Sequence, residues 1–118
     1  MSDTEEIPEV DLTSPERIVT AVAGSYISLN CTLGVNNCPN QSYRWRHQSA
    51  SGSKLWYNGR SVYRSLLSRV VVDNQPARGF GVLTIRKVGI ADQGKFHCFI
   101  PGFKQCQMYF QLTLTGNF

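Results

Sequence analysis

Short runs of alternating apolar and polar residues, each closed by turn-forming residues, fill the chain from Ile18 onward. Between Tyr26 and Leu33, Ile27, Leu29 and Cys31 share one face while Ser28, Asn30 and Thr32 share the other. A period of two predicts a strand with one dry side. The same alternation over residues 43–48 sets Tyr43, Trp45 and His47 opposite Arg44 and Arg46. Further strands are expected over 18–23, 54–57, 69–73, 81–87, 94–100 and 109–115. Between them lie the polar stretch GVNNCPNQS at 34–42, a turn at 49–53, and Asn58-Gly59, a strong hairpin-turn dipeptide. Apolar residues never recur at helical spacing for more than one turn. The reading is an all-β chain of about nine strands, with the roughly 8–12-residue repeat of a two-sheet sandwich.

Residues 1–14 have a different texture. They are acidic, broken by proline and nearly devoid of bulky apolar side chains, which reads as a flexible arm or linker ahead of one domain at 15–118. A chain of 118 residues with 42% hydrophobic and 17% charged content matches one globular domain with a real core. No apolar run approaches the roughly 18 residues of a membrane span, and the opening has no signal-peptide pattern. A secreted or anchored protein would therefore carry its leader and anchor outside this sequence.

Charge separates the same two regions. Asp3, Glu5, Glu6, Glu9, Asp11 and Glu16 are six of the eight acids. Residues 17–118 hold all twelve Lys and Arg against Asp73 and Asp92, a net +10 hidden beneath an overall +4. Cys31, Cys38, Cys98 and Cys106 form an even set, which allows three disulfide pairings or a metal site. Spacings of seven, sixty and eight contain no Cys-x-x-Cys knuckle, which argues against zinc. No metal and no cofactor are expected.

Cys31, Trp45 and Cys98 stand 14 and 53 residues apart, and Asp92-Gln93-Gly94-Lys95-Phe96-His97-Cys98 precedes the last of them. These residues resemble the immunoglobulin superfamily over about 15–116, the heptapeptide looking like its Asp-x-Gly-x-Tyr-x-Cys entry into strand F. The 53-residue interval resembles that of variable-type (V-set) domains, with room for strands C′, C″, D and E in a Greek-key sandwich. The resemblance implies a Cys31–Cys98 bridge across the core with Trp45 packed on it, and a salt bridge between Arg69 and Asp92. Phe96 stands where the family has tyrosine, so the hydroxyl that ties the E–F corner is missing. Pairing Cys31 with Cys98 leaves Cys38, in the B–C loop, to bridge Cys106, in the F–G loop, at the same end of the fold. Two disulfides imply an oxidising, extracellular setting, at a cell surface or in secreted form.

In such domains the partner usually meets strands G, F, C and C′. With Trp45 and Cys98 inward, Arg44, Arg46, His97 and Phe99 point outward. The F–G loop, Phe99-Ile100-Pro101-Gly102-Phe103-Lys104, reads as an apolar tip, and Trp56 as an exposed aromatic beside Arg60 and Arg64. Aromatic anchors rimmed by arginine suit protein recognition. The competing arrangement folds Phe99 and Phe103 inward as a cap beneath the second bridge, and leaves Arg44 and Arg46 as solvated strand charges. Asn40-Gln41-Ser42 and Asn30-Cys31-Thr32 fit the N-glycosylation pattern, which makes Asn40 and Asn30 candidate acceptors.

These features favour an immune or adhesion-type receptor domain binding an extracellular protein ligand or a homophilic partner. The absence of a Phe-Gly-x-Gly bulge in Met108–Thr113 sets it apart from rearranging antigen receptors, a single-domain variant excepted. Recognition of anionic glycans or other polyanions by the basic body is the alternative, with nucleic acid and direct membrane contact disfavoured. An enzyme is not expected, since no Ser-His-Asp motif, phosphate-binding glycine loop or metal triad is present.

Overall fold

A computed structural model describes residues 16–116. The expected acidic arm at 1–14 lies outside the described residues, as does the start of the domain at Pro15. Among these residues eight strands form two sheets. The first sheet has the order β1 (Glu16–Val22), β8 (Gln107–Thr115), β7 (Gly94–Phe99), β3 (Arg44–Ser49) and β4 (Gly52–Tyr57). The second is β2 (Ile27–Cys31), β6 (Phe80–Ile85) and β5 (Val70–Gln75). β1 runs parallel to β8 with Glu16 beside Tyr109, and the other pairings are antiparallel.

In immunoglobulin lettering these strands are A′, B, C, C′, D, E, F and G. The expected ninth strand, C″, is reduced to one bridge between Tyr57 and Val62. The cause is local. Gly59 turns in the left-handed region and the Asn58 side chain accepts the Arg60 and Ser61 amides, so the chain reverses tightly. It then leaves in a 3₁₀ turn at Arg64–Leu66 before a further strand can pair.

Alternation within each strand builds the core. Leu29 and Cys31 from β2, Leu83 and Ile85 from β6, Trp45 from β3, Phe96 and Cys98 from β7, and Phe110 and Leu112 from β8 are almost wholly buried. Trp45 lies beside Cys98 in the ladder and stacks on Phe110 at 5.7 Å. Side chains of this size contribute about 2–3 kcal/mol each on burial. Cys31 is bonded to Cys98 and Cys38 to Cys106, with Cα atoms 6.4 and 5.8 Å apart.

Arg69 and Asp92 meet in a two-point ion pair, both nitrogen–oxygen distances being 2.9 Å. Asp92 also accepts the Gly89 amide, which fixes the 3₁₀ turn before β7. Gly94 follows at a positive φ of 127°, where an added Cβ would overlap the Gln48 carbonyl of β3. Phe96 leaves the corner without a hydroxyl, and a histidine on another strand does the tying. His47 packs between Phe96 and Trp56 and donates its Nε2 proton to the Gln93 carbonyl at 2.9 Å.

Candidate functional site

The outward side of β8, β7, β3 and β4 is set by the inward Trp45–Cys98 pair. Arg44 stands beside Phe99, Arg46 beside His97, and His97 beside Tyr109 in the ladder. These side chains form a continuous file. The Arg46 guanidinium lies 5.8 Å from the Phe99 ring centre, and Phe99 stacks on His97 at 4.6 Å. His97 stacks on Tyr109 at 4.3 Å, and the Lys95 ammonium sits 5.4 Å from the Tyr109 ring. Glu16 on β1 then reaches Lys95 at 3.7 Å. Aromatic rings bounded by cations at both ends gain cation–π attraction as well as packing.

Gln107 locks the file from beneath. Its Oε1 accepts from His97 Nε2 at 2.7 Å and from the Tyr109 hydroxyl at 3.2 Å, while its Nε2 donates to the Lys104 carbonyl. An amide oxygen can only accept, so His97 carries its proton on Nε2. Burial is the main influence on His97 and, with Arg46 and Lys95 nearby, brings its pKa down to about 4 against the Gln107 hydrogen bond. The ring is therefore neutral at physiological pH. Burial also lowers the pKa of Arg44 and Arg46 from the usual arginine value.

Several expected contact residues are placed differently. Trp56 is not an exposed aromatic. The β3–β4 register shifts between Trp45 and Arg46, so Trp56 is the extra residue of a bulge. It turns inward, is 4% exposed and packs edge-on against Phe96 at 5.1 Å. Ile100 is likewise not part of an exposed tip. β7 ends at Phe99, and Ile100, two residues past the inward Cys98, keeps the same parity and enters the inter-sheet core with no accessible surface. Phe99 does point outward, yet it too is wholly buried. Phe103 is half-buried and packs against the core, in a turn closed by Phe103 N–H to Ile100 O and Cys106 N–H to Phe103 O.

The charged members stay near the surface. Arg44 and Arg46 are half-buried, and Lys104, Arg60 and Arg64 are exposed. Asn40 and Asn30 are exposed as well, Asn40 at the loop end and Asn30 on the opposite sheet. His97 and Phe99 follow from alternation; Tyr109 and Gln107 were not singled out, and their signal was the ladder pairing of strands F and G. Among the described residues no cluster of three or more His, Cys, Asp or Glu side chains is arranged to hold a metal. No helix among them is long and apolar enough to cross a membrane.

No family model matches the sequence. No curated protein matches it either. Solved structures do match. The first immunoglobulin domain of the mouse polymeric immunoglobulin receptor is 17% identical, with a TM-score of 0.66 over 89% of this chain and 99% of that one. The second domain of the same receptor is 12% identical, with a TM-score of 0.69 over 88% and 100%. The NK cell receptor Nkp44 is 18% identical, with a TM-score of 0.64 over 86% and 100%. The sheet order, the bridged core with its tryptophan, and these likenesses together give this chain the fold of a variable-type immunoglobulin domain.

Proposed function

We propose that this chain is the ligand-binding domain of an extracellular receptor and that it recognises an acidic protein surface with the outer face of β8, β7, β3 and β4. The file Arg46–Phe99–His97–Tyr109–Lys95 carries this reading. A stacked, hydrogen-bonded platform holds its cations in place before binding, which lowers the ordering cost of association. The bridge from Cys38 to Cys106 stiffens the adjoining loop in the same sense. Two disulfides support an oxidising compartment, at a cell surface or in secretion, and the Nkp44 likeness supports an immune setting. Exposed Asn40 and Asn30 are proposed glycan acceptors, and both lie off the face itself.

A homophilic pair through this face would oppose two basic surfaces, which costs rather than gains energy. Binding of the chain to an array of extracellular proteins and sulfated glycans tests the reading. A protein partner whose binding is weakened but not abolished at 0.5 M salt and lost in Arg46→Glu supports it. Exclusive capture of sulfated glycans, abolished by salt, would replace it with polyanion recognition.

A further inference from the structure

We infer that the acidic segment Asp3–Asp11 of this chain is an intramolecular occupant of the same basic face, and that a partner must displace it. The inference rests on the recognition reading above. Three observations carry it.

The first is where the segment starts. β1 runs parallel to β8 with Glu16 beside Tyr109, so the first residue of β1 lies at the end of the sheet that carries Gln107 and the β7–β8 loop. Glu16, the last acid of the series, already meets Lys95 on the outer face. The second is reach. From β1 to β3 is three strand spacings, about 14 Å. The five residues from Glu16 back to Asp11 span about 17 Å when extended, enough to bring Asp11 to Arg44 or Arg46. The third is complementarity. Five acids at positions 3, 5, 6, 9 and 11 accompany a domain of net +10. On that domain's outward side Lys95 and Arg46 end the file of rings and Arg44 stands beside Phe99, so cations line the face from the neighbourhood of Glu16 across to β3.

A short tether gives an effective concentration of about 1 mM. If the free segment binds with a dissociation constant of about 0.1 mM, the face is occupied about ten times in eleven and a competitor is weakened about tenfold. The contact is then an acidic decoy that sets a threshold for weak ligands while yielding to strong ones.

The test uses the full chain and a variant with Asp3→Asn, Glu5→Gln, Glu6→Gln, Glu9→Gln and Asp11→Asn. A synthetic peptide of residues 1–14 is titrated into each while the side-chain resonances of Arg46, His97 and Tyr109 are followed. The peptide should bind the variant about tenfold more tightly than the native chain. Neutralisation alone should shift those resonances, and added salt should shift the native chain the same way. Arg46→Glu in the variant should abolish peptide binding, with Lys104→Glu as the substitute if the first variant does not fold. Unchanged resonances together with equal peptide affinity would overturn the inference, as would shifts that grow with protein concentration, which would mark a second copy as the occupant. Neither result touches the recognition reading, which falls only if Arg46→Glu leaves the external partner bound.

Discussion

His97 lies flat on Tyr109, the ring centroids 4.3 Å apart and the planes inclined by 8°, on the side of the sheet that faces away from the core. Both rings hydrogen-bond to one amide oxygen, that of Gln107. A protonated His97 would keep its bond to that oxygen, but burial and the nearby Arg46 and Lys95 oppose the added charge, so acid works against the platform.

The His97 pKa, depressed to about 4 from the usual 6.5, fixes the sign of that dependence. The unfolded chain takes up the proton first as pH falls, so stability is complete above about pH 6.5 and declines from there to about pH 4. The loss across this window is on the order of 3 kcal/mol for the one group. Urea unfolding from pH 7 to pH 4 should show it, and His97→Gln should flatten the slope by about that amount. His47, also depressed by burial, adds a loss of the same sign that the His97→Gln comparison leaves in place.

Asp92→Ala leaves the Arg69 guanidinium and the Gly89 amide without their acceptor. Asp92 is nearly inaccessible, whereas about a third of the Arg69 side chain is exposed, so solvent recovers part of the loss. The expected cost is about 2–3 kcal/mol in chemical denaturation. A change below about 0.5 kcal/mol would mean the pair does not hold the corner.

His47→Phe keeps a ring between Phe96 and Trp56 but removes the proton donated to the Gln93 carbonyl. Destabilisation of about 1–2 kcal/mol is expected from the unsatisfied carbonyl. If phenylalanine is neutral, packing alone secures the corner.

Cys38→Ser with Cys106→Ser should leave the sheets intact and lower stability by about 2–3 kcal/mol, since the Cys31–Cys98 bridge already shortens the added loop to about sixteen residues. Circular dichroism and thermal melting read both halves of this outcome. Loss of the fold in the double variant would show the second bridge to be essential rather than supplementary.

The fold was legible because alternation, the Cys31–Trp45–Cys98 spacing and the Asp92–Cys98 heptapeptide all report on the same inward face. One misreading falls where local period fails: a bulge at Trp56 adds a residue out of step and turns a supposed contact residue into core. The other ignored the period, since Ile100 keeps the inward parity of Phe96 and Cys98 beyond the end of β7. Phe99 shows a different limit. Alternation gives the side of the sheet on which a residue lies, not whether that side is covered. Gln107 and Tyr109 escaped because each looks ordinary alone, and their meaning comes from the β7–β8 register that sets them around His97.

The most direct measurement compares equilibrium binding of one captured extracellular partner to two charge reversals. Arg46→Glu alters the outer face of β3, and Arg86→Glu alters an exposed residue just beyond β6 in the other sheet. The two carry the same change in net charge, so long-range attraction falls about equally in both. Recognition by the β8–β7–β3–β4 face predicts a loss of at least tenfold in affinity for Arg46→Glu, with Arg86→Glu within about threefold of the native chain. Equal losses in the two variants, or a greater loss in Arg86→Glu, would contradict it.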